Sequence, residues 1–257
     1  MKIGLIGVGV VGGTLKKYLE EKTKHEILCI DPAKGLDDSF FGVEAVFISV
    51  PVPPSEDGQR LEILLDAVGY AKKFTDNVYV RSTVLPGTND FLGTISMPEF
   101  LTERRAYQDF CELPILVGSP HPKKGKFMPN IGEIFPEKKI VRVSNTEAEL
   151  AKFTHNCFGA MKVTYFNIIH ATCEKLGANF DMVKLGASLT GFIGAEHTQV
   201  PGPDGMFGYG GKCFPENIAA MKNFMRRVEN IHIGGFEFFN QIEFINWAYR
   251  HKSPVAK

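Results

Sequence analysis

Short runs of apolar, largely β-branched residues alternate with helix-period segments through the first half of the chain. Runs at 2–6, 26–30, 45–50, 77–81, 94–97, 115–117 and 140–143 read as strands, and segments 10–21 and 60–74 are the clearest helices between them. That alternation predicts a parallel sheet with crossover helices. Beyond Val143 the pattern changes. Ser144 and Glu147 have capping-box spacing, and from there no proline and only Gly159 interrupts the run until Leu176-Gly177. The spacing predicts a helix of roughly 45 Å, against a usual length of about 11 to 12 residues. Its apolar residues, including Leu150, Phe153, Cys157, Phe158, Met161, Tyr165, Ile168 and Ile169, occupy more than one stripe, which predicts a second packing partner and a homodimer. Segment 199–211, with five glycines and two prolines, reads as a loop, and helical patterns then continue to His251.

The 257 residues allow one large domain or two small ones, and 44% apolar with 23% charged residues excludes disordered, collagenous and coiled-coil classes. Twenty-nine basic residues balance 29 acidic ones, so no global field draws the molecule to nucleic acid or a membrane surface. A charged ligand must be caught locally. No run of about 18 apolar residues is present and the N-terminal segment lacks a signal-peptide pattern, so a cytoplasmic protein is expected. Cys29, Cys111, Cys157, Cys173 and Cys213 are scattered without CxxC pairs, which argues against a disulfide framework and against a metal site.

Gly7-Val8-Gly9-Val10-Val11-Gly12 follows the first strand pattern and opens the first helix pattern. Gly7 permits a tight turn, Gly9 lets backbone approach a pyrophosphate, Gly12 allows close helix packing, and the helix N-terminus attracts the anion. Asp31 closes the second strand about 20 residues later, where a carboxylate bonds the adenosine ribose hydroxyls and repels a 2′-phosphate. Together these predict dinucleotide binding, with NAD favoured over NADP. The fold expected from the pattern is α/β: a doubly wound parallel sheet over 1–143, then an all-helical part with one long helix over 144–257. Cys213 lies where glycine-rich backbone gives way to a helix pattern. Beside a helix N-terminus and Lys212 a thiol shifts towards thiolate, the reactive form, whereas the alternative is a small buried hydrophobe. Lys152 and Asn156 sit one turn apart on the long helix, and Glu99 and Glu103 have the spacing of first-turn acids. Taken alone, both pairs read as solvated helix surface.

The ordered set of GVGVVG, Ser49-Val50-Pro51, Arg81-Ser82-Thr83-Val84-Leu85-Pro86-Gly87-Thr88, Pro98-Glu99-Phe100-Leu101, Glu149-Leu150-Ala151-Lys152-Phe153-Thr154-His155-Asn156 and Pro201-Gly202-Pro203-Asp204-Gly205 leading into GYGGKCFP resembles the UDP-glucose/GDP-mannose dehydrogenase family. Order, spacing and residue types agree over most of the chain. The resemblance implies an NAD-binding Rossmann domain over 1–143, an all-helical dimerisation domain over 144–257, and oxidation of a nucleotide-sugar C6 alcohol to the acid with two NAD, UDP-glucose being the leading substrate in polysaccharide biosynthesis. It assigns Cys213 as nucleophile, Lys152 and Asn156 to the C6 oxygen, Glu99 to water and proton handling, and Thr83 to the reacting end of the nicotinamide. It places NAD on Gly7, Gly9, Val10, Val11, Gly12, Asp31, Val50, Pro51 and Thr83.

Three departures stand out. Pro215-Glu216-Asn217 replaces the family's Pro-Lys-Asp, so an amide at Asn217 stands where a base is expected. Phe207 stands where relatives with the PGPDG loop carry arginine. The family also has a C-terminal nucleotide-clasping domain, and the chain reads as a short form without it. Two other readings follow. One is a catalytically impaired NAD-binding dimer acting as a partner or regulatory subunit. The other is a hydroxyacid dehydrogenase of the 6-phosphogluconate type, a class with no need for the cysteine loop.

Overall fold

The computed structural model describes residues 1–119, 131–228 and 234–251, so parts of both expected domains lie outside the described residues. In chain order the first elements are β1 (Lys2–Ile6), α1 (Val10–Lys22), β2 (Glu26–Asp31), β3 (Leu36–Asp37), β4 (Ala45–Ile48), β5 (Pro54–Ser55), β6 (Gly58–Gln59), α2 (Glu62–Ala71) and β7 (Val78–Val80). There follow α3 (Thr88–Leu92), β8 (Ile95–Ser96), α4 (Ala106–Glu112), β9 (Ile115–Ser119), α5 (Ile131–Ile134), β10 (Ile140–Ser144) and α6 (Asn145–Leu176). The last are α7 (Phe180–Ser188), α8 (Cys213–Arg227) and α9 (Gly235–Arg250). Two compact units divide the chain, Met1–Pro53 with Gln59–Lys152, and Pro54–Gly58 with Phe153–Lys257.

In the first unit six of the described strands form one sheet ordered β3-β2-β1-β4-β7-β8, with β3 the antiparallel edge and the other neighbours parallel, while β9 and β10 pair in parallel as a separate two-stranded sheet. Alternate residues serve opposite faces. Ile3, Leu5, Ala45 and Phe47 join α1's Leu15, Tyr18 and Leu19 in one core, whereas Ile6, Val46 and Ile48 join α2's Leu64 and Val68 in the other. Burial on both faces is why these strands read as continuous apolar runs. The α/β class expected from the sequence is the one observed, and the strand order reverses between β1 and β4, where open sheets of this kind bind ligands. Several strands stop short of their apolar runs because the last residues turn out of the sheet into buried loops: Arg81, after β7, is 2% exposed. The short β3 and the β5–β6 pair carry too few residues for a period to show.

The capping box at the start of α6 forms. Ser144 N–H donates to Glu147 at 2.7 Å and Glu147 N–H to Ser144 Oγ at 3.2 Å. The next residues pin this end of α6 to the sheet. Asn145 accepts from Ser96 N–H at 2.9 Å and donates to the Thr94 carbonyl at 2.9 Å. Glu149, 2% exposed, accepts from Gly87 N–H at 2.6 Å and from Asn89 N–H and Nδ2 at 2.8 Å each. Burial raises the Glu149 pKa although these three donors pull the other way. Glu149→Gln turns an amide donor towards buried N–H groups, and a loss of about 2 to 4 kcal/mol in unfolding free energy is expected by urea titration. A loss below about 0.5 kcal/mol would show that the carboxylate is not what holds the helix there.

The second unit contains the remainder of α6 with α7, α8 and α9. Lys222 of α8 pairs with Glu243 of α9, and Asn223 of α8 donates to the Ser55 carbonyl at 2.7 Å. On α6, Phe153 and Cys157 are buried while Leu150, Phe158, Tyr165 and Ile168 are exposed. No helix among the described residues is long and apolar enough to cross a membrane.

Candidate active site

The glycine motif builds its turn as the residue types demand. Gly7 has φ of 82°, and a Cβ there would meet the Ser49 carbonyl at 2.5 Å; one on Gly12 would meet the Gly7 carbonyl at 2.0 Å. Gly9 caps α1, and no atom lies within 4 Å of where its Cβ would be, so backbone faces open space where a phosphate could approach. Val10 is exposed and opens the helix, with Val11 and Gly12 completing its first turn. Asp31 ends β2 and accepts from Val8 N–H at 2.8 Å. Lys34, which the sequence reading passed over, donates to the Val8 carbonyl beside it. A groove of about 580 Å³ runs past this turn, lined by Gly9, Val10, Lys17, Glu103, Arg104 and Arg105 among others. Its volume falls in the range of ligand clefts, and the residues present fit a dinucleotide.

The loops after β4 and β7 are tied together. Ser82 Oγ donates to the Val50 carbonyl at 2.6 Å, and Gln59 Nε2 to the Thr83 carbonyl at 3.0 Å. Val50 and Thr83 are half-buried and Pro51 exposed. Glu99 and Glu103 do not share a helical turn, contrary to their spacing. Glu99 lies in irregular chain after β8, where its Oε2 accepts from Leu101 N–H at 2.6 Å, and Glu103 opens a separate 3₁₀ turn, Glu103–Arg105. That side-chain bond takes the place of a helical one. Lys152 is likewise not a surface residue. Its Nζ lies 3.1 Å from Glu99 Oε1 and 5.3 Å from the Phe100 ring, with side chains only 5% and 11% exposed.

In the second unit α8 begins at Cys213, which is exposed, with Pro215 in its first turn. Asn217, one turn further on, is buried and its Oδ1 accepts from Asn156 Nδ2 at 3.1 Å. Asn156 is therefore also interior. Cys157 is buried as well, its Sγ 3.8 Å from the Asn217 carbonyl, and burial pushes its thiol up to about 12. Two cysteines near Asn217 thus differ in kind: one sealed and protonated, one open at a helix start. The loop before Cys213 is held from a distance. Gly208 N–H donates to Asn167 at 2.9 Å, Asn246 brackets Tyr209 with bonds of 2.6 and 3.1 Å, and Arg250 bonds the Tyr209 carbonyl at 3.0 Å and Asp204 at 2.7 Å. Asn246 and Arg250 come from α9, roughly 40 residues beyond the loop, and no local pattern marks them. Among the described residues no group of three or more His, Cys, Asp or Glu could hold a metal ion.

Residues 146–246 match the central domain of the UDP-glucose/GDP-mannose dehydrogenase family. Over those residues the chain carries that family's central domain. It is 32% identical to the UDP-glucose 6-dehydrogenase of Rickettsia typhi over 85% of its own length and 52% of that protein. With the UDP-glucose 6-dehydrogenase YwqF of Bacillus subtilis identity is 30%, covering 90% of this chain and 63% of that one. The chain thus spans between half and two thirds of these relatives' length. A UDP-glucose dehydrogenase structure from Pyrobaculum islandicum superposes with a TM-score of 0.76 over 96% of this chain and 68% of that one; at 20% identity the likeness is one of fold.

Two departures from the family pattern have a visible local setting. The Asn217 side chain is engaged by Asn156, so the amide is built into the interior rather than left in solvent. Phe207, where the resemblance led to an expectation of arginine, packs its ring 5.6 Å from His170, which in turn lies 5.0 Å from Phe180.

Proposed function

We propose that this chain is an NAD-dependent nucleotide-sugar 6-dehydrogenase, with UDP-glucose as leading substrate, that makes the C6 carboxylate through a covalent intermediate on Cys213. The observation that carries this reading is an exposed cysteine at the first position of α8 in a chain that carries this family's central domain. NAD supplies the hydride acceptor for both oxidations, alcohol to aldehyde and thiohemiacetal to thioester. Cys213 Sγ adds to the aldehyde carbon as its proton passes to the C6 oxygen. After the second oxidation, water displaces the thiol and releases the acid. Lys152 and Asn156 offer a cation and an amide N–H to charge on the C6 oxygen. Glu99, paired with Lys152, handles the proton of the attacking water. Gly7, Gly9, Val10, Val11 and Gly12 receive the pyrophosphate, Asp31 the ribose hydroxyls, and Val50, Pro51 and Thr83 the nicotinamide half. In this reading 1–143 is the NAD-binding domain and 144–257 the dimerisation and catalytic domain. The protein is a cytoplasmic homodimer, its exposed Phe158, Tyr165 and Ile168 on α6 facing the second copy.

Purified protein offered a panel of UDP- and GDP-sugars is expected to release NADH with at least one of them. Calorimetry should show NAD binding more tightly than NADP, and Asp31→Ala should narrow that difference. Equal or tighter binding of NADP by the parent would overturn the cofactor assignment, and no NADH from any sugar nucleotide would overturn the activity.

A further inference from the structure

Arg81 is the largest fully buried side chain described, and the mechanism above makes no use of it. Its guanidinium carbon lies 5.2 Å from the Phe110 ring, and its Nε and Nη2 have no hydrogen-bond acceptor among the described residues. Burial lowers its pKa to about 10, with the charge of Glu99 opposing the shift, so at neutral pH it is a cation. A buried cation with unpaired donors is costly unless something accepts from them. A cavity of about 20 Å³ is lined by Arg81 and Glu99 together with Phe100, Phe110, Leu113 and Ile115. That is room for one water and no more. Glu99 Oε1 accepts from Lys152 and Oε2 from Leu101 N–H, and each oxygen retains a second lone pair. An anion would meet the Glu99 carboxylate and apolar walls, so a neutral molecule that both accepts and donates fits best.

We propose that an ordered water in this cavity accepts from Arg81 and donates to the Glu99 carboxylate, which makes Arg81 a positioning residue for the Lys152–Glu99 pair. Glu99 is then held from two sides, by Lys152 directly and by Arg81 through the water. The kinetic part of the test rests on the dehydrogenase reading; the structural part does not.

A crystal structure at atomic resolution should show water within hydrogen-bond distance of both Arg81 and Glu99, and Arg81→Met should release Glu99 from Lys152. A cavity closed by side chains, or an unmoved Glu99 in the methionine variant, would overturn the proposal. With melting temperature and NAD affinity as controls for folding, Arg81→Met should lower kcat about tenfold with KM little changed, and Arg81→Lys should recover most of it. An unchanged kcat in the methionine variant, or equal losses in both variants, would also overturn it. If the parent turns over no sugar nucleotide, the dehydrogenase reading fails alone, and the two crystal structures decide the role of Arg81.

Discussion

Cys213→Ser is expected to stop formation of the sugar acid, by at least about 10³-fold, while NAD titrates as it does with the parent. A hydroxyl at this position is far less ionised than a thiol and a poorer leaving group from the acyl intermediate, so both the addition and the hydrolysis suffer. The glycine turn proposed to hold NAD belongs to the other compact unit, so cofactor affinity should not follow. Cys157→Ala is the matching control: that thiol is buried, held protonated by burial, and should matter to packing rather than to chemistry. The measurement is NADH release together with mass analysis of the product. Full conversion to the acid by the serine variant would remove Cys213 from the mechanism.

Asn217→Asp is expected to accelerate turnover, since a positioned acid or base contributes typically 10² to 10⁴ in rate and the amide can do neither. The geometry favours the exchange. Asn156 Nδ2–H already donates to Oδ1 at 3.1 Å, and a carboxylate oxygen there accepts the same bond with added charge. Glu216, the neighbouring acid, is exposed and does not share that interior position. Before the change, intact-mass spectrometry with substrate and NAD should catch a sugar-nucleotide thioester on Cys213; after it, the adduct should clear. Because Asn217 is only 6% exposed, the aspartate variant should also lose roughly 1 to 3 kcal/mol of stability. If the parent forms no adduct and the aspartate variant is no faster, hydrolysis does not depend on this position.

The parallel sheet, its glycine turn and the long helix were legible along the chain because each is written in local periodicity. Strands buried on both faces appear as unbroken apolar runs, the turn needs glycine where a Cβ would strike the Ser49 or Gly7 carbonyl, and the capping box at Ser144 and Glu147 marks the α6 start within four residues. Candidate site residues could be named by motif, but spacing misread their surroundings. Lys152 and Asn156 read as a solvated face, and both are interior, because each finds its partner more than 50 residues away, in Glu99 and in Asn217.

Arg81 and Glu149 stand in the quoted motifs but were given no role there, and Asn246 and Arg250 carried no local signal. Periodicity reports which side of an element is apolar, but a buried charge or amide is tolerated only where distant chain supplies its hydrogen bonds, and that supply exists only after folding. Order along the chain therefore determined the class of fold, the glycine turn and the place of the cysteine loop before a helix. Tertiary packing decided which polar groups meet, which of the two neighbouring thiols stays open, and that Glu99 sits between Lys152 and the cavity it shares with Arg81.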